Sequence, residues 1–179
     1  MAVMTPAAEI EKVLFTEEQI QARIQELGAE ISQAYAGREL KLISVLKGSI
    51  FFLTALARAI TIPVKFDFLA ISSFSNNRSM PGVVRIAKDL DEAIEGEDVL
   101  LVEDIIDTGL TVRYLLQTLA GRQPNSLAVC TFLDKTPRRL VQVPVRFRCF
   151  EIPDRFVVGF GLDYNQLYRN LPYVAVVKL

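Results

Sequence analysis

The sequence predicts an α/β fold: a central, mostly parallel sheet flanked by helices. Three observations carry this. Runs of strand character alternate with runs of helical apolar spacing through the middle of the chain. Two of the runs, Leu40 to Leu46 and Val99 to Val102, read as buried strands. Finally, at 179 residues with 51% hydrophobic and 23% charged side chains, the chain suits one soluble globular domain over 1–179 that needs no staples to bury its core.

The elements follow in order. Thr16 to Gln19 reads as a capping box, and Ile20, Ile24, Leu27 and Ile31 continue it at helical spacing, with an end near Gly37. The strand Leu40–Leu46 breaks at Lys47-Gly48-Ser49, and an apolar helix runs from about Ile50 to Ala59. Val64, Phe66, Phe68 and Ala70 alternate as in a strand. Ser72 to Pro81 is polar and reads as a mobile surface loop, after which Val83 to Ile86 resumes strand character. A turn at 95–98 leads into Val99–Val102, and Leu110 to Leu119 is helical, closing near Gly121. Ser126–Leu133, Val145–Phe150, Phe156–Phe160 and Tyr173–Val177 read as further strands. The last of these lack long intervening helices, so they either form a small subdomain or extend the sheet edge. No internal repeat, low-complexity segment or Walker P-loop occurs, and Gly159-Phe160-Gly161 lacks the remaining dinucleotide-binding spacing.

Composition excludes several chemistries. There is no histidine, which removes Ser-His-Asp and Cys-His nucleophile systems and the common zinc sites. Acid–base work then falls to carboxylates, lysine or tyrosine. A formal charge of -1 argues against a basic nucleic-acid-binding face. Cys130 and Cys149 have neither metal-ligand nor disulfide spacing and fit buried thiols in a reducing cytoplasm. Neither a secretory signal nor a run of membrane-spanning length is seen.

The richest segment is 99–111, VLLVEDIIDTGLT. An apolar strand runs into the acid pair Glu103-Asp104, then two isoleucines, then Asp107-Thr108-Gly109-Leu110-Thr111 and a helix. In an open α/β sheet, ligands bind beyond the carboxyl ends of the strands. Hydroxyls, a glycine and free backbone N–H groups at a helix N-terminus form a phosphate cradle there. Acids beside a phosphate site need a reason: sugar hydroxyls are good partners for them, and a divalent cation would offset the repulsion. The string as a whole thus suggests a sugar phosphate with a metal nearby.

This segment resembles the phosphoribosyl pyrophosphate signature of type I phosphoribosyltransferases, in the form used by the hypoxanthine-guanine branch, and the likeness extends from about Leu14 to Leu179. The resemblance implies the type I fold, with a small hood subdomain and a flexible loop. It implies that Glu103 and Asp104 contact the ribose hydroxyls directly or through metal and water. Asp107 would be the general base near N7 of a purine. Thr108, Gly109, Leu110 and Thr111 would hold the 5′-phosphate, Leu110 mainly by backbone.

Five further constellations fit that likeness. Leu46-Lys47-Gly48-Ser49, by itself an ordinary loop, takes the place of a pyrophosphate loop built on Lys47 and Gly48, and a cis Leu46–Lys47 peptide is implied. Lys135, at a strand exit, would donate to O6 of the purine and favour 6-oxopurines over adenine. Arg138 and Arg139 beside it read as solvated surface charges or a subunit contact. In 156–164, Phe156 would stack on the base, Val157 would offer main-chain groups, and Asp163 would reach magnesium and the base. Arg169 would clamp pyrophosphate. The polar loop takes the place of the family's lid and carries Ser73-Phe74 where the family usually has Ser-Tyr, which removes a hydroxyl.

The expected function is magnesium-dependent purine salvage: phosphoribosyl transfer from phosphoribosyl pyrophosphate to N9 of hypoxanthine or guanine, in a cytoplasmic homodimer or homotetramer without nucleic-acid or membrane partners. The alternatives are a xanthine-preferring transferase and a regulator of the same fold that binds RNA or DNA.

Overall fold

The structure is a computed structural model that describes residues 9–73 and 84–178. Its elements are β1 (Glu9–Phe15), α1 (Glu17–Ala34), β2 (Leu40–Leu46), α2 (Ser49–Ala59), β3 (Val64–Ser73), β4 (Val84–Lys88), β5 (Asp98–Ile106), α3 (Leu110–Ala120), β6 (Ser126–Asp134), β7 (Val145–Glu151), β8 (Val157–Val158) and β9 (Val174–Lys178), with a 3₁₀ turn at Thr136–Arg138. Of the polar loop read from the sequence, Phe74 to Pro81 lies outside the described residues, and Ser73 is the last residue of β3.

Six strands form the main sheet in the order β4-β3-β2-β5-β6-β7. All neighbours are parallel except β3 and β4. Period-2 alternation sends successive side chains to opposite faces, and each face is covered. Leu42, Leu100 and Val102 join the cluster under α1 and α2, with Ile24, Leu27, Phe52 and Leu56. Ile43, Leu101 and Val129 join the cluster under α3, with Val112, Leu115 and Leu119. Each fully buried Leu or Ile contributes roughly 1.5–3 kcal/mol by leaving water.

The capping box is present. Thr16 Oγ1 accepts from the Gln19 N–H at 3.4 Å, and Gln19 Oε1 accepts from the Thr16 N–H at 2.9 Å. Such a cap stabilises its helix by about 1 kcal/mol. Helix α1 ends at Ala34 rather than near Gly37, because the Tyr35 N–H closes the last turn onto Ile31 and Tyr35 is itself fully buried. Strand β5 runs four residues past Val102, so the acid pair lies inside it.

The C-terminal strands make a separate three-stranded sheet, order β1-β9-β8, rather than an extension of the main one. Its edge strand β1 was not anticipated from the sequence. The expected strand Phe156–Phe160 is only Val157–Val158, because Gly159 and Leu162 exchange backbone hydrogen bonds, each at 3.0 Å, and turn the chain.

Candidate active site

From β2 the chain crosses by α2 to β3 on one side; from β5 it crosses by α3 to β6 on the other. The carboxyl ends of β2 and β5 are therefore the topological switch point, where such sheets open a crevice. A cavity of about 320 Å³ sits there. It is lined by Lys47 and Gly48 from the β2 end, Glu103, Asp104 and Asp107 to Gly109 from the β5 end, Thr111, and Arg169 from the far side.

Gly109 caps α3 at φ 83°, a left-handed conformation that L side chains avoid. The Leu140 N–H donates to Thr108 O at 2.9 Å and holds the loop from outside. Leu110 opens α3 with an exposed side chain. Within β5, Glu103 is buried; that burial, and then the neighbouring Asp104, push its carboxyl well above the usual range. Burial likewise raises Asp104 to about 6, although the Ile105 N–H donates to its Oδ1 at 2.8 Å and Arg169 lies near enough to oppose the shift.

The three-stranded sheet and the segment joining β8 to β9 form a hood, and that segment presses on the β2 loop. A Cβ on Gly48 would lie 2.0 Å from Asp104 Oδ2, and one on Gly161 would lie 2.1 Å from Gly48 O. These two glycines let the Lys47-Gly48 backbone pass between the acid pair and the hood. The Leu46–Lys47 peptide is cis, as the resemblance implies. Behind it the Ser44 hydroxyl donates to Ser49 Oγ at 2.7 Å and reaches Val102 O at 3.2 Å, tying β2, α2 and β5 together. Arg169 Nη1 donates to Gly161 O at 2.7 Å, and Nη2 lies 2.6 Å from Asp163 Oδ1. Asp163 Oδ2 accepts from the Gln166 N–H at 2.9 Å. Both oxygens of Asp163 are thus engaged, and Arg169 is held between Asp163 and the Gly161 carbonyl.

A second cavity, of about 310 Å³, adjoins the first and shares Asp104, Ile105, Asp107 and Arg169 with it. Its other walls include Lys135, Phe156, Val157, Asp163 and Arg138. Lys135 is buried at the end of β6, where its N–H donates to Ile106 O at 2.9 Å. Phe156 exposes 40% of its surface and meets Tyr164 edge-on at 5.8 Å, which leaves a ring face free to stack. Val157 is buried opposite Val176.

Two expectations change. Arg138 stays half-exposed, but it is not free in solvent: the 3₁₀ turn after Lys135 folds it back onto the cavity, with Nε 3.2 Å from Asp107 Oδ1. Arg139 is mostly covered and pairs with the buried Asp134 at 2.6 Å. Asp154, which pairs with Arg138, was not singled out from the sequence. Nothing in the local pattern marks it, since its partner comes from a different loop.

Together the fold and the two joined cavities define an α/β protein whose switch-point crevice carries a helix N-terminus and an acid pair on one side and an aromatic ring with a buried lysine on the other. A model of the phosphoribosyl transferase domain matches residues 13–165, and the chain belongs to the phosphoribosyltransferase family. It is 51% identical to a hypoxanthine-guanine phosphoribosyltransferase of Mycobacterium avium, over 94% of this chain and 86% of that one. It is 49% identical to a hypoxanthine phosphoribosyltransferase of Salmonella typhimurium, over 94% and 96%. A crystal structure of a hypoxanthine-guanine phosphoribosyltransferase from Bacillus anthracis superposes with a TM-score of 0.90 at 41% identity, covering 97% of this chain and all of that one.

Proposed function

We propose that this chain transfers the 5-phosphoribosyl group of phosphoribosyl pyrophosphate to N9 of hypoxanthine or guanine, giving IMP or GMP and pyrophosphate in purine salvage. The observation that carries the reading is the pair of joined cavities. One has a helix N-terminus and an acid pair for a sugar phosphate; the other has a stacking ring and a buried lysine for a 6-oxopurine; Asp107 stands on the shared wall. The relatives are named as transferases, which does not favour the regulator that binds RNA or DNA.

In this reading the α3 N-terminus and Thr108, Gly109 and Thr111 hold the 5′-phosphate. Glu103 and Asp104 grip the ribose hydroxyls. Lys47, the Gly48 backbone and Arg169 receive pyrophosphate. Phe156 stacks on the base, the Val157 main chain meets its edge, and Lys135 donates to O6. Asp107 accepts the purine proton as N9 displaces pyrophosphate with inversion at C1.

Magnesium belongs to this proposal. Among the described residues no three or more His, Cys, Asp and Glu side chains gather into a metal cage. This suits magnesium, which keeps several waters and binds through one or two carboxylates plus substrate phosphates. The buried pair Glu103 and Asp104, both held above their usual range, is a donor set that a cation would relieve. Asp163, engaged by Arg169, would reach the ion through water. When bound, the ion neutralises charge on the departing pyrophosphate. We place the protein in the cytoplasm as a homodimer or homotetramer. Two free buried cysteines support the first point.

The test is pyrophosphate release with hypoxanthine, guanine, xanthine and adenine in turn, with and without magnesium. Release with the first two, dependent on the metal, is expected. Release with xanthine alone would move the substrate assignment, and no release with any base would end it.

A further inference from the structure

A chain of alternating charges runs along the base-side cavity and joins the two groups that face the purine. Arg138 Nε lies 3.2 Å from Asp107 Oδ1, and Arg138 Nη1 lies 3.6 Å from Asp154 Oδ1. The same Asp154 oxygen lies 3.9 Å from Lys135 Nζ. Asp107 Oδ1 is buried and makes no aligned hydrogen bond, so the guanidinium holds it by charge alone. Lys135 has a nearly buried side chain, 7% exposed, and among the described residues Asp154 is the carboxylate that restrains its ammonium.

Resting on the purine reading above, we propose that Arg138 and Asp154 are positioning residues that set the spacing between Asp107 and Lys135. N7 and O6 lie side by side on one edge of a 6-oxopurine, so the proton acceptor and the O6 donor must face that edge together. They come from different elements: Asp107 from the loop after β5, Lys135 from the end of β6. The backbone contact from Lys135 to Ile106 O fixes the strands but not the side-chain tips. A guanidinium presents Nε and Nη1 in one rigid plane and can bind two carboxylates at a set angle, which a lysine ammonium on a flexible stem cannot do. Arg138 therefore fixes Asp107 and Asp154 relative to each other, and Asp154 passes that restraint to Lys135.

The arrangement is poorly suited to a purely structural role. The Arg138 side chain is 48% exposed and that of Asp154 is 52% exposed. Ion pairs this open contribute little to folding. A displacement of reacting groups by about 1 Å, by contrast, can cost as much as 10²-fold in rate.

The test is steady-state kinetics on the full chain with hypoxanthine and with adenine at saturating phosphoribosyl pyrophosphate and magnesium. The variants are Arg138→Met, Arg138→Lys, Asp154→Asn and the double Arg138→Met/Asp154→Asn. Both arginine variants are expected to lose about 10- to 100-fold in kcat, with KM for phosphoribosyl pyrophosphate within about twofold. Asp154→Asn is expected to raise KM for hypoxanthine about tenfold and to narrow the preference for hypoxanthine over adenine. The double variant should be no worse than the weaker single one, because the residues act as one unit. Melting temperatures within a few degrees of wild type would exclude a folding cause.

Three results would overturn the proposal. Wild-type kcat in Arg138→Lys would mean that charge alone suffices. A lower KM for hypoxanthine in Arg138→Met would make Arg138 a competitor for Asp107. Fully additive losses would make the two residues independent. A wild-type chain that releases no pyrophosphate with any 6-oxopurine would instead sink the purine reading, and this proposal with it.

Discussion

Asp107 is the residue whose chemistry is easiest to isolate. Its Oδ1 is buried without an aligned hydrogen bond, and Arg138 supplies its nearest cation at 3.2 Å. An amide in its place keeps the size but cannot take up the purine proton. A positioned general base contributes typically ~10²–10⁴-fold, so Asp107→Asn is expected to lower kcat by about that range. On the proposed reading the sugar phosphate is held by other groups, and its binding, measured by calorimetry with magnesium present, should change by no more than a few-fold. Unchanged turnover in the variant would remove Asp107 from the proton-accepting role. At this scale the sequence is explicit wherever the residues of one string act together. From Glu103 to Thr111 the order of acids, hydroxyls and glycine already spells a sugar-phosphate loop, and all of these residues except Leu110 line the first cavity. It is silent about Arg138 and Asp154, which are ordinary charged loop residues until a 3₁₀ turn and a separate loop bring them together.

At the scale of elements, the decisive junction is that between β2 and α2. Gly48 sits between Asp104 on β5 and Gly161 in the hood, and a methyl group there would meet Asp104 Oδ2 at 2.0 Å, Gly161 O at 2.9 Å and Arg169 Nη1 at 3.1 Å. The carboxylate end can give a little; the Gly161 backbone, fixed by its N–H to Arg169 O at 2.9 Å, cannot. Gly48→Ala is therefore expected to destabilise the chain by about 1–3 kcal/mol in thermal unfolding. It should also cost kcat/KM for phosphoribosyl pyrophosphate at least ~10²-fold, because the acid pair and the arginine move together. A variant with near-wild-type kinetics would show that the loop and the hood are not in contact when the enzyme turns over. The sequence makes the elements of the main sheet plain because β2, β5 and β6 are buried on both faces and read as apolar runs. It hides β1, whose residues Glu9 to Phe15 mix charged and apolar types and are mostly exposed. That strand exists because β9 offers it an edge, a tertiary cause that a local pattern does not carry.

At the scale of the whole molecule, the buried acid pair sets stability against function. Asp104 has an ordinary value of 3.8 and is raised to about 6 in the folded chain, chiefly by burial, and burial also holds Glu103 well above its ordinary value. A carboxyl whose folded value lies above its unfolded value binds more protons when folded. Between the two values stability therefore falls as pH rises, and the cost is complete once pH exceeds the folded value. The ligand-free protein is thus expected to lose stability between about pH 4 and about pH 6 through Asp104, with Glu103 adding a loss of the same sign. Asp104→Asn removes one charge and keeps an oxygen for the Ile105 N–H. It should raise the melting temperature of the ligand-free chain at pH 7.5 by several degrees, on the order of 1–2 kcal/mol, and by almost nothing at pH 4. The same variant should gain less from phosphoribosyl pyrophosphate with magnesium than wild type does, since a ligand stabilises only in proportion to how tightly it binds the folded state. Differential scanning calorimetry at the two pH values, with and without ligand, reads both effects at once. An equal difference between variant and wild type at both pH values would mean that Asp104 is not charged at a cost. Equal stabilisation of both proteins by ligand would mean that the acid pair does not bind the sugar. On the proposed reading, the chain tolerates a destabilising pair of carboxylates at the centre of its sheet because substrate and magnesium would relieve that cost on binding.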